Sequence, residues 1–382
     1  MSGDLLRKIY KSRPPPPPAH WEDDIDPSEA LDTFTSSTSF QDPAPSVHPS
    51  KLTERSAHFS VSSRYAPLDW SGYFNEKKSI IVPGEEPTEA DITFSVFESL
   101  GKPGSPLFVL HHGAGCCAQS FALTAKEIKK IVGDEAGVMA YDVRGHGETR
   151  SGDEHNMSLD RLARDLKNVL TVLYGHQLPE IILVGHSMGG AVVAEAASRG
   201  MISNVVGVAV LDIVEGVAIE TLSNMNGWLE RRPNVFRSVD KVVQWGVKSG
   251  TVRNVESARV SFPPLVIESA RSTPETPSYI WRTDLAATEQ YWKGWFTGLT
   301  EKFLSSKAGK LLVLAGTDRL DTDMMIAQMQ GKFQMLVFAN SGHNVQEDDP
   351  ERMARELVAF WKRNERLVLP PSFAFPLTLP RS

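Results

Sequence analysis

Ile181-Ile-Leu-Val-Gly-His-Ser-Met-Gly-Gly190 is the stretch of sequence that decides the fold. Its four aliphatic residues, 181–184, predict a strand buried on both faces, as in a parallel sheet. Gly185, Ser187 and Gly189 then match the G-x-S-x-G nucleophile elbow, a tight strand-to-helix turn that exposes a serine hydroxyl above the sheet. The Ala- and Val-rich sequence that follows predicts the helix. This pattern is typical of a serine hydrolase.

Outward from this stretch, short apolar runs alternate with amphipathic helical patterns. Ser158 is a predicted N-cap of a helix with one apolar face, and Asp349 followed by Pro350 predicts the start of the last helix. Strands alternating with helices, with an interruption late in the sheet, predict an α/β-hydrolase fold: a mostly parallel central sheet flanked by helices. The further strands are predicted at residues 106–110, 137–141, 205–210, 311–315 and 334–338.

The interruption and the two ends of the chain define its predicted organisation. Residues 215–300 contain tryptophans, are helical in period and have no evident core strand, so we expect an inserted helical cap within a hydrolase domain spanning 61–382. Residues 1–60 are rich in Ser, Thr and Pro and predict a disordered tail. Residues 369–382 carry four prolines and predict an irregular tail.

Charge, hydropathy and cysteine content narrow the functional classes. With a formal net charge of -7 and no basic run, the chain is not expected to bind nucleic acid. It has no apolar stretch of about 18 residues, so no membrane contact is expected. Its two cysteines, Cys116 and Cys117, are adjacent and would form a disulfide only with strain. This favours a reducing compartment, the cytoplasm, the nucleus or both.

A serine nucleophile needs a base and an acid that orients the base, and the chain order in this fold is Ser, Asp or Glu, then His. Of the ten histidines, His343 lies in the last loop before the final predicted helix, where the fold delivers its base. His146 and His186 belong to tight turns and are expected to serve structure. Asp212 and Asp318 each end a predicted strand. Spacing alone favours Asp318 and leaves Asp212 open.

The oxyanion hole is expected from two backbone amides. His112-Gly113-Ala114 matches the H-G-x form of the loop after the first core strand, which predicts the Ala114 amide as one donor. The Met188 amide, directly after the nucleophile, is the predicted second donor. Cys116 and Cys117 lie beside this loop, where a small apolar lining is favoured over a reactive thiol.

Motifs around the elbow and in the predicted cap carry a more specific signal than the elbow itself. Together they resemble the protein phosphatase methylesterase family, over a span from about Trp70 to about residue 363. The motifs are Gly185-His-Ser-Met-Gly-Gly190, Asp142-Val-Arg-Gly-His-Gly-Glu-Thr149, Leu211-Asp-Ile-Val-Glu-Gly216, Val247-Lys-Ser-Gly250, Arg253-Asn-Val-Glu-Ser-Ala-Arg-Val260, Tyr291-Trp-Lys-Gly-Trp-Phe296, Leu314-Ala-Gly-Thr-Asp-Arg-Leu320 and Gln328-Met-Gln-Gly-Lys-Phe-Gln-Met335.

The resemblance implies an activity and a set of catalytic residues. The activity is demethylation of the C-terminal leucine methyl ester of the protein phosphatase 2A catalytic subunit, which would be the partner. The implied triad is Ser187, Asp212 and His343, which moves the acid from Asp318 to Asp212. We expect a monomer that needs no metal or organic cofactor. Four cap aromatics are candidates for holding the substrate tail, or else for filling the cap core: Trp281, Trp292, Trp295 and Phe296.

Two other functional classes share these features. A small-molecule carboxylesterase or lipase has the same triad, and a hydrolase-fold binding protein with little turnover has the same fold. An epoxide or haloalkane hydrolase is excluded, because it would carry Asp at position 187. The chain also departs from the family: His111-His-Gly-Ala-Gly115 is poorer in glycine, and a short proline-containing stretch replaces an acidic insertion before Trp281.

Overall fold

Eight strands form one central sheet within residues 64–85, 89–316 and 320–365, the part of the chain that the computed structural model describes. The order is β1-β2-β4-β3-β5-β6-β10-β11, in which β2 pairs antiparallel with both β1 and β4 and every other neighbouring pair is parallel. The strand bounds are β1 Glu76–Val82, β2 Ile92–Ser99, β3 Leu107–His111, β4 Gly137–Tyr141, β5 Ile181–His186, β6 Val205–Leu211, β7 Val235–Phe236, β8 Val266–Glu268, β9 Tyr279–Trp281, β10 Gly309–Leu314 and β11 Gln334–Val337.

The central strands are buried because alternate side chains pack into apolar clusters on opposite faces of the sheet. In β5, Ile181 and Leu183 belong to one cluster, whereas Ile182 and Val184 belong to the other. The helix bounds are α1 Ala122–Val132, α2 Leu159–Tyr174, α3 Met188–Ser198, α4 Glu215–Arg231, α5 Val239–Lys248, α6 Val255–Ser261, α7 Glu289–Phe296, α8 Leu299–Ser305, α9 Thr322–Met329, α10 Val345–Asp348 and α11 Pro350–Asn364.

Two sets of helices cover the two faces. The side chains of α2, α3, α7, α8 and α9 pack into the first cluster, and those of α1 and α11 into the second. The predicted caps are confirmed: the Ser158 side chain accepts from the Arg161 amide at the start of α2, and the Asp349 side chain accepts from the Arg352 amide ahead of Pro350. The sequence therefore determines these helix starts locally.

The segment between β6 and β10 contains α4 to α8, as the helical interpretation of residues 215–300 expected. It also contains a small antiparallel sheet in the order β7-β9-β8, which the sequence did not predict. These strands are two or three residues long, too short for a period-two pattern to be recognised. The insertion has its own apolar cluster, which includes Phe236, Trp245 and Phe262.

Some expectations fall on parts of the chain that are not described. The predicted tails at residues 1–60 and 369–382 lie outside the described residues, and so does Asp318. The antiparallel pair β1–β2 was not predicted; it forms one edge of the sheet. Among the described helices, none is long and apolar enough to span a bilayer.

Candidate active site

The nucleophile elbow lies where β5 ends and α3 begins. Ser187 has a φ of 51°, a strained value for a residue with a side chain, and its amide donates to the Leu211 carbonyl at 3.0 Å. Gly185 and Gly189 are required because neighbouring backbone atoms occupy the space that a side chain would need. A Cβ on Gly185 would lie 2.1 Å from the Gly189 carbonyl oxygen, and one on Gly189 would lie 2.3 Å from that of His111. Ser187 is thus held at the carboxyl edge of the sheet and is partly exposed.

Asp212 follows β6 at the same edge of the sheet. It has a φ of 52°, so two of the three non-glycine residues with positive φ in the described part of the chain are Ser187 and Asp212. Its Oδ1 accepts from the Ala315 amide at 2.6 Å, and its Oδ2 lies 2.7 Å from His343 Nδ1. The carboxylate is 7% exposed, and these bonds compensate for its burial. The backbone strain directs this carboxylate at the imidazole.

The His343 loop, residues 338–344, joins β11 to α10. The His343 side chain is 54% exposed, although Asp212 binds its Nδ1. The backbone of the loop is held from two sides. His186 Nε2 lies 2.9 Å from the His343 carbonyl, and Asp348 Oδ2 accepts from the Gly342 amide at 2.6 Å. The rings of His186 and His343 are 4.8 Å apart, which brings His343 beside the neighbour of Ser187 in the elbow.

The oxyanion loop, residues 112–117, follows β3. Gly113 packs against the elbow, since a Cβ there would lie 2.9 Å from His186 Nδ1 and 3.2 Å from Ser187 Cβ. Within the described residues, the amides of Ala114 and Met188 have no protein acceptor. The structure therefore brings the predicted oxyanion loop to the predicted nucleophile, with both predicted donors available.

The β4 exit loop, residues 142–150, is hydrogen-bonded to the oxyanion loop and to Ala118, which follows it. Asp142 is buried and accepts from the Ala118 amide at 2.8 Å and the Glu148 amide at 2.9 Å. Burial raises the pKa of its carboxyl to about 6. Arg144 forms a buried bidentate pair with Asp165 of α2, at 2.7 and 2.9 Å. The loop is thus fixed to the helix layer by a desolvated ion pair.

The two cysteines are the last residues of the oxyanion loop and are free thiols. Burial raises the pKa of the Cys116 thiol to about 12 and that of Cys117 well above its usual range. Cys117 Sγ donates to the Ser261 carbonyl at 3.2 Å. Thiols held protonated are poor nucleophiles, in keeping with the expectation of a lining role.

A buried carboxyl lies directly after the His343 loop. Glu347 of α10 is 2% exposed, and its Oε2 accepts from Ser257 at 2.9 Å and Ser261 at 2.6 Å, both on α6 of the insertion. Burial raises the pKa of Glu347 to about 8, and the neighbouring Asp348 adds to the effect. This contact joins the insertion to the base of the His343 loop.

The four aromatic residues predicted as substrate contacts divide into two groups. Trp292, Trp295 and Phe296 are 3%, 1% and 5% exposed and belong to the main apolar cluster. The indole nitrogens of the two tryptophans donate to Thr288 Oγ1 and to the Met157 carbonyl. The structure therefore places these three in the core. Trp281 is partly exposed in the small sheet, and its indole donates to the Pro233 carbonyl.

Sequence reasoning missed the part that other buried histidines play around the site. Each of His112 and His146 bonds the oxyanion loop with one ring nitrogen and the β4 exit loop with the other. His112 bonds the Gly113 carbonyl and the Val143 amide, and His146 bonds the Gly115 amide and the Arg144 carbonyl. Their signal in the sequence was the H-G-x motif and Asp142-Val-Arg-Gly-His-Gly147, whose spatial relation the sequence alone does not give. No group of three or more His, Cys, Asp or Glu in the described ranges could hold a metal ion.

The sequence matches known proteins along most of its length. The model of the alpha/beta hydrolase family matches residues 108–356. A protein phosphatase methylesterase 1 of Aspergillus oryzae is 44% identical over 327 residues, covering 82% of this chain and 76% of that protein. One from Cryptococcus neoformans is 37% identical over 416 residues, covering 98% of this chain and 96% of that protein. One from Yarrowia lipolytica is 43% identical and covers 80% and 75%.

Solved structures agree at the level of the fold. E-2-(acetamidomethylene)succinate hydrolase superposes with a TM-score of 0.59 at 18% identity, covering 75% of this chain and all of that chain. An esterase of Mycobacterium tuberculosis superposes with a TM-score of 0.53 at 20% identity, covering 82% and 100%. At these identities the likeness concerns the α/β-hydrolase architecture alone.

Proposed function

The chain belongs to the protein phosphatase methylesterase family, and from this premise we propose that it removes the methyl ester from the C-terminal leucine of the protein phosphatase 2A catalytic subunit. It is a serine esterase with the α/β-hydrolase fold. The observation that carries the proposal is the 2.7 Å contact between Asp212 Oδ2 and His343 Nδ1, on the loops that flank the strained Ser187. Asp212 is therefore the proposed acid, His343 the proposed base and Ser187 the proposed nucleophile.

The proposed reaction proceeds in two steps through a covalent intermediate. His343 takes the hydroxyl proton of Ser187 while Ser187 Oγ attacks the leucine ester carbonyl. The amides of Ala114 and Met188 stabilise the oxyanion that forms. Protonated His343 then donates to the methoxy oxygen as the C–O bond breaks and methanol leaves. Water, activated by the same imidazole, attacks the acyl-enzyme and releases the leucine carboxylate together with free Ser187.

Asp212 has two tasks in this reaction. Its Oδ2 holds the Nδ1 proton of His343, so that Nε2 is the ring nitrogen available for proton transfer. Its negative charge stabilises the imidazolium that forms when Ser187 loses its proton. The Ala315 amide on Oδ1 keeps the carboxylate in position throughout.

The phosphatase surface supplies specificity in this proposal, because a methyl ester offers little to bind. An exposed apolar face on α9 is a suitable contact: Met325, Ile326 and Met329 are 47%, 48% and 88% exposed. Met324 and Ala327 on the other side of α9 are buried. The free thiols are in keeping with the proposed cytoplasmic or nuclear location.

The substrate assignment is tested by comparing two esters. We expect kcat/KM for methylated phosphatase to exceed that for a nitrophenyl acyl ester by at least about 100-fold. This ratio corresponds to about 2.7 kcal/mol of additional transition-state stabilisation by the phosphatase surface. Equal values would favour the small-molecule carboxylesterase, and absence of turnover on both esters would favour a binding protein. A serine-reactive phosphonate probe should label the wild type and leave Ser187→Ala unlabelled.

The α9 contact has its own test with a matched control. Met329→Asp should lower kcat/KM for methylated phosphatase by about 10-fold through a charge in an apolar interface, while nitrophenyl ester hydrolysis stays unchanged. Ile81→Asp is the control, because Ile81 is 60% exposed on β1 at the opposite edge of the sheet. Equal losses in the two variants would exclude α9 as the contact surface.

A further inference from the structure

Each of the two peptide groups that flank the Cα of Ala114 is bonded by a buried histidine. The Gly113 carbonyl, in the peptide group that also contains the Ala114 N–H, lies 2.8 Å from His112 Nδ1. The Gly115 N–H, in the next peptide group, donates to His146 Nε2 at 2.9 Å. Both imidazoles are fully buried, and their rings meet edge to face at 5.0 Å. The proposed oxyanion donor is therefore enclosed between two side-chain hydrogen bonds.

The partners of these rings fix their protonation. The Val143 amide, which can only donate, lies 3.0 Å from His112 Nε2, so this nitrogen is unprotonated and the proton sits on Nδ1, facing the Gly113 carbonyl. In His146, Nε2 accepts from Gly115, and the protonated Nδ1 donates to the Arg144 carbonyl at 2.9 Å. Burial lowers the pKa of both imidazoles, to about 4 for His146, which keeps them neutral near pH 7.

From this geometry, and resting on the proposed function of the Ala114 amide, we propose that His112 and His146 are positioning residues that orient this amide toward the oxyanion. A peptide group is planar, so a hydrogen bond that fixes the Gly113 carbonyl also fixes the direction of the Ala114 N–H. The same bond polarises the peptide group and strengthens the N–H as a donor. His146 fixes the following peptide group, which prevents rotation about Ala114.

The insertion extends this arrangement. Thr283 Oγ1 donates to the Gly145 carbonyl at 2.8 Å, next to His146 in the chain. Arg282 forms a bidentate pair with Glu154 at 2.8 and 2.7 Å and donates to the Thr149 carbonyl at 3.0 Å. Leu285 lies against Gly115 itself, where an added Cβ would approach its Cδ1 to 2.9 Å. The segment after β9 thus holds the loop that seats His146.

Amide side chains can separate the two bonds of each ring, because the amide of Asn reaches about as far as Nδ1 and that of Gln about as far as Nε2. At position 112 the important bond comes from Nδ1, so His112→Asn should retain more activity than His112→Gln. At position 146 it comes from Nε2, so His146→Gln should retain more than His146→Asn. We expect about 10-fold between the members of each pair and about 100-fold loss in each alanine variant, near the effect of losing one oxyanion donor.

The readouts distinguish orientation of the amide from general support of the fold. For nitrophenyl ester hydrolysis by the full chain, kcat and kcat/KM should fall together while KM stays constant, since the bond acts in the transition state. Thermal midpoints are measured for every variant, and His176→Gln, at an exposed histidine, is the matched control with wild-type kinetics. A merely structural role would make activity follow the thermal midpoint, without the opposite preferences for Asn and Gln at the two positions.

The outcomes also separate this proposal from the proposed function. The same preference at both positions, or unchanged kcat in all the variants, would overturn the positioning role while Ser187→Ala remains inactive. Undiminished turnover by Ser187→Ala would instead overturn the proposed function, whatever the histidine variants do. Crossed preferences together with an inactive Ser187→Ala support both.

Discussion

The oxyanion loop and the His343 loop meet at the nucleophile elbow, but they are held in different ways. The oxyanion loop is enclosed by the buried imidazoles of His112 and His146, and it is held by neutral hydrogen bonds. The His343 loop is held by two carboxylates, Asp212 on the ring and Asp348 on the backbone, in addition to His186 at the His343 carbonyl, and its imidazole is 54% exposed. The imidazoles that hold the oxyanion loop are buried, whereas the imidazole of the His343 loop faces solvent.

The difference corresponds to the two kinds of work that the proposed reaction requires. Stabilising an oxyanion needs dipoles that are already oriented and shielded from water, since reorientation during the reaction would cost free energy. A base that accepts and returns a proton needs a partner for its charged form and access to water for deacylation. The comparison predicts that the oxyanion loop tolerates less change in shape, and the His343 loop less change in charge.

The largest effect is expected at the charge that holds His343. Asp212→Asn should lower kcat by about 10^4-fold, because an amide stabilises the wrong tautomer and cannot stabilise the imidazolium. Asp318→Asn, assayed in parallel by nitrophenyl ester hydrolysis, should change kcat by less than about 10-fold if Asp212 supplies the charge. A larger loss in the Asp318 variant would reverse the assignment of the acid.

A matched pair of glycine substitutions tests the tolerance of shape. Gly113→Ala should lower kcat by about 100-fold, because the new Cβ would lie 2.9 Å from His186 Nδ1 and would displace the Ala114 amide. Gly342→Ala should have an effect below about 3-fold, since its Cβ would come no closer than 3.3 Å, to a side-chain oxygen of Asp348. Similar losses in both variants, at unchanged thermal midpoints, would mean that the loops do not differ in this way.

The pH dependence of stability should also separate the two sides. Burial lowers the folded-state pKa of His111 and His146 to about 4, from 6.5, so the unfolded chain binds more protons between these values. The contribution of these histidines to the free energy of unfolding should therefore fall as the pH is lowered from 6.5 to 4, whereas that of the buried Asp142, with its pKa raised to about 6, changes in the opposite sense. Glu347, behind the His343 loop, has its pKa raised from 4.5 to about 8, so its contribution falls as the pH rises through that window.

Chemical denaturation across pH 4.5 to 9 checks both signs. His146→Gln should reduce the loss of stability on the acid side, and Glu347→Gln should reduce the loss on the alkaline side, because neither amide titrates. If Glu347→Gln were more destabilised relative to wild type at about pH 9 than at about pH 5, the conclusion that the buried Glu347 carboxyl is neutral in the folded protein would be contradicted.

Local patterns determined the parts of the molecule that sequence analysis predicted well. The elbow at Ser187 and the cap at Asp349 and Pro350 depend on a few adjacent residues, and the parallel strands are long apolar runs. The small sheet of the insertion and the pair β1–β2 were missed. β1 is an edge strand whose first four residues are polar, and the strands of the small sheet are only two or three residues long, so neither shows a recognisable strand pattern.

The site was predictable in its residue types but not in its contacts. Asp212 and Asp318 both end strands, and only the fold shows that the Asp212 carboxylate reaches His343, with Asp318 outside the described residues. His146 was predicted to serve structure, and its bond to the Gly115 amide depends on two loops 31 residues apart. Aromatic residues give no sign in the sequence of which ones are buried, so Trp295 and Trp281 looked alike.

The central claim is that Ser187 demethylates the phosphatase tail, and methanol release from the methylated catalytic subunit tests it most directly. The wild-type chain should release one methanol per methylated subunit, and Ser187→Ala should do so at least about 10^4-fold more slowly. Retained methanol release by Ser187→Ala would contradict the account, as would a wild-type enzyme that hydrolyses nitrophenyl esters but leaves the methylated subunit intact.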